Sequence, residues 1–223
     1  MIKKELKLNA SKERAQIFQR FFKTKKGEYG YGDVFIGVTV PVQRSIVKKH
    51  PELTIDDAIE LLKEKIHEYR SCGLIVLVEK YKQGNQDHVV DLYFKNTKYI
   101  NSWDLVDFSA PQILGDYFFL EDKSRLKKLL YSSNLWERRI AIVSTFGFIK
   151  KGDVNTTFEY AKELLNDNHD LIHKATGWML REAGKRDKQS LKKFLNENKM
   201  PRMTLRYAIE KFSLEERRYY LKQ

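Results

Sequence analysis

The chain has 223 residues, with 42 Lys and Arg against 30 Asp and Glu, a net charge of +12. Its 42% hydrophobic content excludes a disordered chain and suits one core or one repeat array at this length, and the single cysteine, Cys72, excludes an internal disulfide and fits a reducing compartment. No apolar run is long enough for a membrane span or a secretory leader, so a cytoplasmic protein without a membrane partner is expected, and the cationic excess favours a polyanion as partner.

A first helix leads into a Gly/Tyr-rich loop, KGEYGYGD (26–33). VFIGVTVP (34–41) is the one stretch with strand character. Residues 54–66 then place Ile55, Ala58, Ile59, Leu62 and Ile66 on one helical stripe. Thr54 with Asp57 three residues later reads as an N-cap, as does Ser213 with Glu216. LIVLV (74–78) sits inside a helical pattern, so Cys72 is expected to be buried and inert.

Internal repeats set the architecture. Blocks starting at Glu68, Ser102, Glu137, Ile172 and Leu205 are separated by 34, 35, 35 and 33 residues. Other helical segments lie between them, at 87–100, 122–133, 154–167 and 187–198. Two helices per period, joined by short turns, is the pattern of an all-α solenoid.

Turning 100° per residue along the blocks separates two faces. Leu105, Val106, Ser109, Ile140, Ala141, Ser144, Phe148, Ala175, Thr176, Met179 and Ala183 form a small or apolar packing side. Trp103, Asp107, Arg138, Arg139, Lys174, Trp178 and Arg181 lie opposite, on the side that lines the concave surface of a solenoid. Cations at repeat spacing suit phosphates, and indoles suit sugars or bases. A lone carboxylate among them suits an oxocarbenium-like state, as in cleavage of an N-glycosidic bond. An alkylated purine is already cationic and leaves without a general acid, so one aspartate is enough. The plainer alternatives are an Asp107–Arg139 ion pair, core tryptophans and solvated cations. Pro111 also stands within the Asp107 helix, where it is able to kink it.

The segments KGEYGYGDVFIGVTVP (26–41), SWDLVD (102–107), LGDYF (114–118), LWERRIA (135–141) and HKATGWMLREAGK (173–185) resemble, in order, the AlkD-like family of DNA alkylation-repair glycosylases. The resemblance covers essentially the whole chain. It implies one domain over 1–223, a right-handed α-solenoid of HEAT-like or ARM-like repeats with a shallow, positive concave face. It also implies removal of cationic N3- or N7-alkylated purines from duplex DNA by a monomer needing no metal, cofactor or obligatory protein partner. Asp107 then matches the catalytic aspartate, Trp103 and Trp178 match tryptophans that contact the lesion nucleotide, and Arg139 matches an arginine that holds phosphates. Arg138, Lys174 and Arg181 are the further DNA-binding candidates. Members are thought to leave the damaged base stacked, so no deep base pocket is expected. Two departures stand out. Phe21 or Phe22 replaces a DNA-facing tyrosine, making Phe21 a candidate DNA contact, and Ser102 replaces a second tryptophan.

Two other readings stay open: a non-catalytic HEAT-repeat protein that binds damaged or structured DNA, and a solenoid scaffold for an acidic protein. His169 and His173 have i, i+4 spacing but lack a glutamate between them and a third ligand, so no metal site is assigned. Gly27, Gly30 and Gly32 form no phosphate-loop motif. The C-terminal RRYYLKQ (217–223) is either a DNA contact or a frayed end.

Overall fold

A computed structural model describes residues 1–222; Gln223, the last residue of the RRYYLKQ segment, lies outside the described residues. The chain divides into two compact units, Met1–Leu105 and Val106–Gln223. Unit 1 holds α1 (Ile2–Leu8), α2 (Lys12–Phe21), α3 (Val40–Lys48), α4 (Ile55–Leu62), α5 (His67–Lys82) and α6 (Gln86–Lys95). Helix α7 (Trp103–Tyr117) begins in unit 1 and continues into unit 2. Unit 2 adds α8 (Ser124–Lys128), α9 (Leu135–Lys150), α10 (Asn155–Glu163), α11 (Asp170–Arg186), α12 (Lys188–Glu197), α13 (Arg202–Ala208) and α14 (Leu214–Lys222).

The five sequence blocks are α5, α7, α9, α11 and α13, and α6, α8, α10 and α12 alternate with them. The fold is therefore all-α and repetitive. Among the described residues the only β pairing is an isolated bridge between Val34 and Ile66. VFIGVTVP thus supplies one bridge and an irregular run, and its Val40 opens α3. The predicted first helix is two short helices, α1 and α2, with Ser11 capping the second through its side chain.

The capping signals act as the sequence reads. Thr54 and Asp57 form a reciprocal box at α4, and Ser213 and Glu216 exchange the same pair of bonds at α14. Helix α4 stops at Leu62, short of the predicted Ile66, which instead precedes α5. Arg70 fixes that turn by donating from Nη1 to the Glu64 and Lys65 carbonyls at 3.1 and 2.9 Å. Helix α7 runs through Pro111 to Tyr117.

The predicted packing stripe of unit 2 is its core: Val106, Ser109, Ile140, Ala141, Ser144, Phe148, Ala175, Thr176, Met179 and Ala183 are all buried. Glycine brings two of these helices close. A Cβ on Gly115 would sit 2.2 Å from the Ser144 carbonyl, and one on Gly147 would sit 2.6 Å from the Gly115 backbone. Side chains are thus excluded from the α7–α9 crossing. Cys72 is fully buried, and burial pushes its thiol up to about 12, so it is no nucleophile.

Candidate functional site

In unit 1 the segment before α3 is pinned by a buried carboxylate. Glu68 accepts from the backbone N–H groups of Ile36, Gly37 and Val38, the shortest at 2.7 Å. Gly37 has φ +81°, and a Cβ there would meet the Ser11 carbonyl at 2.2 Å, so only glycine lets α2 approach. That approach brings Phe22 of the α2 C-terminus onto Phe35, with ring centroids 4.8 Å apart and planes 23° apart.

The stack continues in both directions. Trp103 lies on Phe22 at 5.2 Å and 14°, and Phe35 lies on the His67 imidazole at 4.4 Å and 24°. Phe21 meets Trp103 edge-on at 5.7 Å and is itself 62% exposed. Trp103, which the helical wheel left without a packing role, is therefore held by two phenylalanines.

Charge closes the far end of this column. His67 hydrogen-bonds Asp33 Oδ2 through Nδ1 at 2.9 Å and Asp104 Oδ2 through Nε2 at 2.8 Å. Arg70 donates to Asp33 Oδ1 at 2.6 Å. Burial alone would lower the imidazole pKa, but the charge and hydrogen bonds of Asp104 and Asp33 outweigh it and raise the value to about 9. Burial would raise both carboxyls, yet His67 holds each below the ordinary carboxylate range, with Arg70 assisting at Asp33. His67 is thus an imidazolium donating from both nitrogens.

In unit 2 the central feature is a second ion pair. Arg139 donates from Nε to Asp107 Oδ1 at 2.9 Å and from Nη2 to Oδ2 at 2.8 Å, the bidentate geometry of the strongest pairs. Its Nη1 donates to the Leu171 carbonyl at 2.6 Å, in the first turn of α11. Arg139 is only 5% exposed, whereas the Asp107 side chain keeps 19% of its surface in solvent. The carboxylate is fixed in orientation, on a side chain that is not fully buried.

The other sequence candidates fall into two groups. Arg138 is committed: it holds Asp167 at 2.6 Å and caps the Ser132 carbonyl at 2.9 Å. Arg181 is likewise engaged, by Glu210 and Glu182. Lys174 and Trp178 lie one turn apart on α11, both half-buried, with Trp178 5.8 Å from Phe146. The histidines of α11 serve its N-terminus. His169 Nδ1 accepts from the Leu171 N–H, and His173 Nε2 meets the Asp167 carbonyl. Among the described residues no three His, Cys, Asp or Glu side chains converge as a metal site, and no helix is long and apolar enough to cross a membrane.

Sequence reasoning missed His67, Asp33, Arg70 and Asp104. Their partners lie 34 to 37 residues apart, and no short motif joins them. The available signal was the roughly one-repeat separation of His67 from Asp104, an acid inside the WDLVD segment.

Comparison with known proteins bears on what these sites serve. A solved structure described as a predicted DNA alkylation repair enzyme from Enterococcus faecalis is 18% identical, covers 92% of this chain and 98% of its own, and superposes with a TM-score of 0.74. Among curated proteins none matches. The family model described as DNA alkylation repair enzyme matches residues 2–212. The chain, matched along almost its entire length, belongs to the DNA alkylation repair enzyme family.

Proposed function

We propose that the protein is a DNA glycosylase that releases cationic N3- or N7-alkylated purines from duplex DNA. The observation that carries this reading is the Asp107 carboxylate, oriented by a buried guanidinium on a side chain that is not fully buried. In the reaction the bond between C1′ and the purine nitrogen breaks, and its electron pair neutralises the departing base. The sugar is left as an oxocarbenium ion. Water then adds at C1′ and gives up a proton, leaving an abasic site.

Asp107 supplies the negative charge that this ion needs. Arg139 fixes both oxygens of that carboxylate, and Asp107 orients the attacking water from this fixed position. A preset dipole of this kind costs no reorganisation as charge develops. Trp103 and Trp178 contact the lesion nucleotide, and Phe21 lends an exposed ring to the DNA. Lys174 contributes phosphate affinity. Arg138 and Arg181 add phosphate contacts by exchanging part of their pairing with Asp167 and Glu210 for the DNA backbone. The protein works as a monomer in the cytoplasm, as one functional domain without metal or cofactor.

The test is release of 7-methylguanine from methylated duplex by wild type beside Asp107→Asn. Excision is expected to fall by about 100-fold or more, the scale of losing a key electrostatic group. Duplex affinity is expected to stay equal or rise, because a charge that repels phosphates is gone. An active Asp107→Asn variant refutes the assignment. Salt-sensitive binding by a wild type that releases no base identifies a binding module instead.

A further inference from the structure

Several cations of unit 2 are committed to carboxylates. Arg138, Arg139 and Arg181 are spoken for by Asp167, Asp107 and Glu210, and Lys185, Lys188 and Lys192 by Glu182 and Glu216. Among the described residues Lys174, Arg202, Arg206 and Arg217 have no ion pair or side-chain hydrogen bond, and the same holds for separate surface cations such as Lys162 and Lys199. These four do not scatter. They line one cleft of about 500 Å³ formed by α11, α13 and α14, together with Met203, Tyr207 and Glu210.

Four cations face a single carboxylate there, and that carboxylate is already engaged by Arg181 and Lys211. Uncompensated like charges around a concavity concentrate a positive potential, which is the condition for capturing an anion. Three of the four are guanidinium groups, which match phosphate oxygens in pairs. Tyr207 is 36% exposed beside them and offers a ring face to a sugar. Lys174 stands one turn before Trp178 on α11, which ties the cleft to the proposed DNA-contacting residues.

We propose that this cleft is a phosphate grip in which Lys174, Arg202, Arg206 and Arg217 take backbone phosphodiesters of duplex DNA, separately from the Asp107–Arg139 pair. The proposal rests on the reading that the protein acts on DNA. It shifts the burden of affinity from the arginines of the repeat face to the last helices.

The experiment is duplex binding by fluorescence anisotropy across a potassium chloride series, with undamaged DNA. The variant is Arg202→Gln/Arg206→Gln/Arg217→Gln. Its control is Lys162→Gln/Lys193→Gln/Lys199→Gln, which removes the same charge from exposed positions outside the cleft. Thermal melting of both triples verifies that they fold. The slope of log affinity against log salt is expected to fall by roughly 0.9 for each phosphodiester no longer held, so by about 2 to 3 in the cleft triple. The control should change it by less than one such step. Equal slopes in the two triples, or an unchanged slope in the cleft triple, overturn the proposal. Base release by wild type is scored independently. Its absence alongside a reduced slope would refute the glycosylase reading and leave the grip standing. Its presence alongside unchanged slopes would refute the grip alone.

Discussion

Helix α7 carries two carboxylates three residues apart, and their surroundings differ instructively. Asp104 serves unit 1. Its Oδ2 meets a buried imidazolium, its Oδ1 is shut away from solvent, and the cation is roofed by Phe35. Asp107 serves unit 2. Its partner is a guanidinium whose fixed fork bonds both oxygens. The first arrangement holds a titratable cation and suits a structural support for the Trp103 ring column. The second sets both carboxylate oxygens with one rigid donor, which suits chemistry. The two side chains keep nearly equal exposure, 20% and 19%, so it is the kind of cation each one meets that separates them.

The largest effect expected from this contrast is at His67. His67→Leu leaves Asp33 and Asp104 without their shared cation, and losing one partner of a buried ionic group costs about 3–5 kcal/mol. Urea denaturation of the variant should show that loss. Stability within about 1 kcal/mol of wild type would demote the cluster to an incidental contact.

The next expected effect is a pH response confined to unit 1. The folded pKa of His67 is raised from 6.5 to about 9. Its contribution is therefore fully present below the unfolded value and is lost as pH rises through about 9, an effect of about 3 kcal/mol. The lowered Asp33 and Asp104 act oppositely: their contribution is present above the ordinary carboxylate range and is lost as pH falls through their folded values. Urea midpoints at about pH 7 and about pH 10 should diverge in wild type and converge in His67→Gln.

A smaller effect sharpens the unit 2 side. Arg139→Gln removes both the charge and the fork, and single-turnover excision should fall by about 10- to 100-fold. The salt slope of duplex binding should not move, because the guanidinium is already committed to Asp107 and the Leu171 carbonyl. A slope reduced by about one unit with excision intact would make Arg139 a phosphate ligand, as the family resemblance implies, and would dissolve the distinction between the two sites.

The repeat architecture was legible because it is periodic: a stripe such as Ile140, Ala141, Ser144 and Phe148 announces itself at helical spacing, and all four are buried. Capping was legible because Thr54 and Asp57 are neighbours in sequence. Asp107 and its pairing with Arg139 were within reach because they lie one repeat apart. The aromatic column was not, since Phe22, Phe35, His67 and Trp103 meet only when Gly37 lets α2 approach. The cationic cleft escaped for another reason. A wheel orders charges by angle but does not record which carboxylate has already claimed them, and Arg138 and Arg181 stood out while Arg202 and Arg206 did not.

The glycine crossing described in unit 2 has a metrological consequence. Gly115 lies eight residues after Asp107 on α7, and Gly147 lies eight residues after Arg139 on α9. The two helices thus run in the same direction and are riveted twice, at stations about 12 Å apart along their axes. Slippage of one residue against the neighbour breaks both rivets together. The pair works as a calliper whose jaws are a carboxylate and a guanidinium, and any methyl group wedged at its hinge reads out as a changed gap between those jaws.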